Sequence, residues 1–140
     1  MKVGIIYGTK RKKATEALIK WLKSSLENRG IAVEAKKHKE FTDFNRDAFI
    51  IGGAVYAAGV RTGLLEFLEK NQNSLDKPLA TFVVCTRMKF REEYMSQILE
   101  KLPSKPITQK VFEGYYLKKG NFDNQKQIAE TWVNEILDKL

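Results

Sequence analysis

The sequence predicts an α/β fold of three layers: a five-stranded parallel sheet in order 2-1-3-4-5, with helices on both faces. Three observations carry that expectation. Short runs rich in β-branched residues, of the kind buried on both sides of a sheet, alternate with amphipathic runs of helical period along the whole chain. Strands and helices in alternation imply right-handed crossovers and therefore parallel strands. Finally, five strands and about four helices fill the 140 residues with no linker left over, which suits a single domain over residues 1–140.

Each element has its own signal. "VGIIYG" (3–8) is the first buried strand. The helix after it carries Ala17, Leu18, Trp21, Leu22 and Leu26 at helical spacing, and Gly30 is its stop. "IAVEA" (31–35) alternates as an edge strand does. The next stretch, "KKHKEFTDFNR", is too short for a full helix, so a loop with at most one turn is expected there. "DAFIIGGAV" (47–55) is the third strand and "GLLEFLEKNQ" the helix that follows. "KPLATFVVCT" (77–86) is the fourth strand, followed by a helix with Tyr94, Ile98 and Leu102 four apart. "ITQKVFEGYY" (107–116) is the fifth strand, and the last helix bears Ile128, Trp132, Ile136 and Leu140 on one stripe. Proline stands only at 78, 103 and 106, at element boundaries.

Composition removes several classes of function. The single cysteine, Cys85, sits in an apolar run and reads as a small core residue; the only histidine, His38, sits among lysines. No metal site is expected, and no Cys-His or Ser-His-Asp chemistry. No side chain stands out as a general acid or base, so no catalytic residue is assigned. No apolar stretch approaches the ~20 residues that span a bilayer. The N-terminal apolar run lacks a cleavage site and reads as a strand, which makes the cytoplasm the expected location. The net charge of +8 points to an anionic partner.

Ligands of open parallel sheets bind beyond the carboxyl ends of the strands. The loops leaving those ends are residues 9–14, 36–39, 53–61, 86–91 and 115–120. They hold Lys10, Arg11, Lys12, Lys13, Lys36, Lys37, Lys39, Arg61, Arg87, Lys89, Arg91, Lys118 and Lys119, and no acid. An anion site is expected on this rim. Its centre is the first loop, where the helix N-terminus offers free N–H groups and Thr9 and Thr15 offer hydroxyls. Lys10, Arg11, Lys12 and Lys13 stand where phosphate cradles normally keep glycine, so charge would replace a backbone nest. The other reading of the four cations is a solvated turn.

"VGIIYGTKRKKATEALIKWL" together with "AFIIGGAVYAAGV" resembles the flavodoxin-like family, and more closely its flavodoxin-domain and protoporphyrinogen-oxidase-type branch. The Gly53-Ala54-Val55-Tyr56-Ala57-Ala58-Gly59 run matches the family's pattern at the end of the third strand, and "VFEGYY" resembles its fifth strand. The resemblance implies FMN as cofactor and an electron-transfer or oxidoreductase role. It places Thr9, Lys10, Arg11, Lys12, Lys13, Ala14 and Thr15 around the phosphate. Ala54, Val55, Tyr56, Ala57, Ala58 and Gly59 would line one side of the flavin ring, and Thr86, Arg87, Met88, Lys89 and Phe90 the other. Tyr56 either stacks on the ring or caps its strand; Phe90 either faces the ring or packs under its own helix. The chain departs from the family in three ways: the loop glycine is missing, the long insertion of the oxidase-type relatives is absent, and the rim is basic. The basic rim would suit an acidic redox partner. The alternative is a non-redox module of the same fold that binds a nucleotide, another anion or an acidic protein. A nucleic-acid partner is not expected, because the aromatic residues fall at core positions and no binding motif is present.

Overall fold

The buried runs become strands and the amphipathic runs become helices, as their periods require. Strand β1 (Lys2–Gly8) leads to helix α1 (Lys12–Glu27), then β2 (Ala32–Lys37), β3 (Ala48–Tyr56), β4 (Gly59–Val60) and α2 (Thr62–Lys70). Then come β5 (Leu79–Cys85), α3 (Arg91–Leu99), β6 (Thr108–Glu113) and α4 (Phe122–Lys139). The structure, a computed structural model, describes residues 1–9, 12–56, 59–60, 62–114 and 122–140, with the side chains of 12, 13, 56, 122 and 123 left out of the description. The sheet order is β2-β1-β3-β5-β6, parallel throughout, so the expected five-strand order holds.

β4 was not expected. Residues 53–61 read as a loop, but β3 continues to Tyr56 and returns as a two-residue antiparallel strand, pairing Val55 with Val60 and Tyr56 with Gly59. The reason is apolar: Val60 is buried and Val55 half-buried in the layer beneath α2 and α3.

Period two sorts each strand's side chains between two cores. Val3, Ile5, Tyr7, Ile50, Phe82, Val84 and Phe112 face α1 and α4. Ile6, Phe49, Ile51, Val83 and Cys85 face α2 and α3. In the first layer Trp132 is 1% exposed and wedges edge-on between Phe82 and Phe112, while its indole N–H donates to Thr108 Oγ1 at 3.3 Å. The second layer has no helix between β2 and β3. One 3₁₀ turn (His38–Glu40) stands there instead, and Phe41, Phe44, Phe49 and Phe67 fill the space, with Phe44 stacked on Phe67 at 6.1 Å.

Gly30 ends α1 as expected. Its φ of +78° lets the Ile31 N–H reach back to Leu26 O at 3.3 Å and its own N–H reach Glu27 O at 3.0 Å, a Schellman motif. Gly52 serves a different need. A Cβ there would fall on the Phe82 carbonyl of the neighbouring strand.

The two glycines should therefore respond differently. Gly30→Ala meets open space and costs only backbone strain, about 1–2 kcal/mol. Gly52→Ala forces two strands apart and should cost about 3 kcal/mol or more. Urea denaturation of both variants checks the order, and an equal loss would contradict the close approach at Gly52.

Candidate functional site

The carboxyl ends of β1 and β3 meet at two glycines. Gly8 pairs with Gly53, and a Cβ on Gly53 would stand 2.7 Å from the Gly8 carbonyl oxygen. This approach brings the end of β1 beside β3 where that strand runs on into the β3–β4 hairpin. Thr9 follows β1 and is 9% exposed; Thr15, in the first turn of α1, is 1% exposed. That first turn holds no acid, so the positive end of the helix dipole is not neutralised within it. Ala14 is partly buried against the first core. Lys10 and Arg11, and the side chains of Lys12 and Lys13, lie outside the described residues.

On the second segment, Ala54 is buried and Val55 half-buried within β3, and Gly59 opens β4. Ala57, Ala58, Arg61 and the Tyr56 side chain lie outside the described residues, as do residues 115–120 with Lys118 and Lys119. On the third segment, Thr86, Arg87 and Lys89 are exposed. Met88 and Phe90 are half-buried against the second core. The Cys85 thiol lies 3.6 Å from Met88 Sδ, and the Phe90 ring lies 6.3 Å from Tyr94 with the Lys89 ammonium 5.0 Å from its centre. Phe90 thus packs beside a residue of its own helix.

Lys39, Arg87, Lys89 and Arg91 form no salt bridge among the described residues. The rim is nonetheless less one-sided than its loops. Glu16, Glu40 and Glu113 stand just outside the loop limits, and Glu16 lies 4.0 Å from the Lys37 ammonium. The Tyr7 hydroxyl donates to Glu16 Oε2 at 3.4 Å. Burial, then the negative charge of Glu16, pushes the Tyr7 phenol up to about 12. Burial also raises the Cys85 thiol, with Glu113 adding to the shift and Arg91 opposing it. Cys85 therefore stays protonated at neutral pH, as a core residue and not a nucleophile.

Sequence reasoning missed three rim residues. Tyr7 shares the inward period of Val3 and Ile5, and a phenol tip at such a position needs a polar partner; that signal was available. His38 stands among lysines in the sequence, but its side chain is buried. It is 8% exposed, with its ring 5.8 Å from Phe67 and close to Gly8 and Gly63. Gln97 of α3 accepts the Val60 N–H at 2.7 Å, and nothing local in the sequence marks it. Among the described residues no group of His, Cys, Asp and Glu could hold a metal, and no helix is long and apolar enough to cross a membrane.

Tyr7 links the rim to stability. A raised phenol pKa means the folded chain keeps its proton longer than the unfolded chain. The contribution of Tyr7 should be complete below pH 10 and lost as pH climbs toward about 12. Tyr7→Phe should flatten the fall in stability across that window in denaturation series at stepped pH; an unchanged slope would contradict the burial argument.

Residues 5–131 match the flavodoxin domain family. No curated protein sequence matches the chain. Oxidised flavodoxin 1 from Bacillus cereus superposes with a TM-score of 0.72 at 14% identity, over 100% of this chain and 99% of that one. A short-chain flavodoxin associated with a non-canonical PDU bacterial microcompartment gives 0.71 at 14% identity, over 99% and 97%. A Fusobacterium nucleatum flavodoxin bound to flavin mononucleotide gives 0.68 at 14% identity, over 99% and 98%. At these identities the structures speak for the fold, and the match over residues 5–131 speaks for descent: the chain belongs to the flavodoxin domain family.

Proposed function

We propose that the chain is an FMN-binding redox protein, an electron carrier or a subunit of an oxidoreductase. The observation that carries this reading is the pair of buried threonines, Thr9 and Thr15, at the acid-free N-terminus of α1 on the strand-end rim. Hydroxyls and free backbone N–H groups at a helix start are the donor set a phosphate monoester requires. The Fusobacterium relative, bound to flavin mononucleotide, supports the choice of ligand.

In this reading Thr9, Ala14 and Thr15 hold the phosphate, with charge from Lys10, Arg11, Lys12 and Lys13. Residues 54–59 and 86–90 flank the ring. A bound flavin supplies the electron acceptor and donor. The chain supplies binding, orientation and field. The exposed cations Arg87 and Lys89 favour added negative charge nearby, so a flavin here should be easier to reduce than one ringed by acids. The same cations suit an acidic redox partner.

One observation favours a second reading. No glycine stands among residues 9–15, so the turn has charge where a backbone nest would be. The fold would then bind a nucleotide, another anion or an acidic protein without redox chemistry. Yellow purified protein separates the two readings at once.

Two outcomes test the phosphate assignment. Thr15→Val keeps the buried volume but loses the hydroxyl, and should weaken FMN binding about tenfold or more while leaving the melting temperature near wild type. Lys12→Ser with Lys13→Ser should weaken binding and flatten its salt dependence, since salt screens exposed charge. Flavin fluorescence quenching at low and high salt measures both. If the wild type binds neither FMN nor inorganic phosphate at low salt, the site assignment fails.

A further inference from the structure

Gln97 lies in the second turn of α3, 37 residues from the strand it touches. Its Oε1 accepts the Val60 N–H at 2.7 Å. The same amide occupies the space a side chain on Gly59 would need: a Cβ there would stand 2.5 Å from Oε1 and 2.6 Å from Nε2. One side chain thus bonds one residue of β4 and abuts the other. β4 has only two residues, and an isolated pairing that short cannot hold itself in place. The burial of Val60 pins the strand from below, and Gln97 pins it from α3.

We infer that Gln97 and Gly59 form a lock that holds the β3–β4 pairing in its binding geometry, which makes Gln97 a positioning residue for a ring lying beside Ala54, Val55 and Gly59. The inference rests on the FMN reading for its ligand, but not for the lock itself. Tyr56 and Gly59 are paired, so fixing Gly59 and Val60 fixes the backbone on both sides of residues 57 and 58. A hairpin held before the ligand arrives spares the ordering cost of binding. Gly59 belongs to the lock for steric reasons: any side chain there forces the Gln97 amide to shift from its place beside Val60.

The test combines hydrogen exchange on the chain without ligand with FMN titration. Gln97→Ala should speed exchange of the Val60 amide at least tenfold and weaken FMN binding about tenfold, with the rest of the sheet still protected. Gln97→Glu keeps the acceptor and should hold both values within about threefold of wild type. Gly59→Ala should impair binding in the wild-type background but far less once Gln97→Ala has emptied the space, a non-additivity expected only of groups in contact. Unchanged Val60 exchange in Gln97→Ala overturns the lock, as does an equal loss from Gly59→Ala in both backgrounds. Should Gly59→Ala fail to fold, exchange in Gln97→Ala decides alone. Faster exchange without FMN binding by any variant or the wild type keeps the lock and discards the flavin reading.

Discussion

The close approach of backbones along β3 is the constraint on which the rim depends. At Gly52 there is no room for a Cβ against the carbonyl of Phe82, and at Gly53 none against the carbonyl of Gly8. Two successive residues without side chains let β3 lie tightly between β1 and β5 at the point where the sheet ends. The end of β1 and the start of the β3–β4 hairpin become neighbours because of it. A bulkier residue at either position would spread the strands.

Electrostatics at this rim balances two tendencies. The loops are basic, but Glu16 sits behind the first of them, holding the Tyr7 hydroxyl and lying near the Lys37 ammonium. A carboxylate in that place offsets part of the charge of Lys37 without lying in the first turn of α1. Four cations, Lys39, Arg87, Lys89 and Arg91, are left without an ion-pair partner among the described residues. Their charge is available to whatever docks on this end of the sheet.

The strands and helices were legible because their signals are local. The continuous apolar run of β1 and the four-residue spacing of Tyr94 and Ile98 survive in the structure as buried faces. The Gly30 stop was legible for the same reason, since only a residue tolerant of positive φ closes that helix. What escaped depends on contacts between distant residues. β4 exists because Val60 finds a core made by other helices, and Gln97 matters because folding brings it to Val60. His38 stands among lysines in the sequence, yet Phe67, Gly8 and Gly63 lie against it from elsewhere in the chain. Of the residues expected around a cofactor, Thr9, Thr15 and Ala54 are buried on the rim, while the ring of Phe90 lies against Tyr94.

The register also divides the chain into two unequal parts. β1 meets β2, β3 meets β5, and β5 meets β6 across about 30 residues each, whereas β1 meets β3 across 45. The β1–β3 seam joins β1-α1-β2 to β3 through β6, and its longer closure costs only about 0.4 kcal/mol more than the shorter ones. The rim between Gly8 and Gly53 lies on that seam. The ligand-facing end of the sheet therefore forms only where two parts of the chain 45 residues apart in register are brought together, as Val3 is with Ala48.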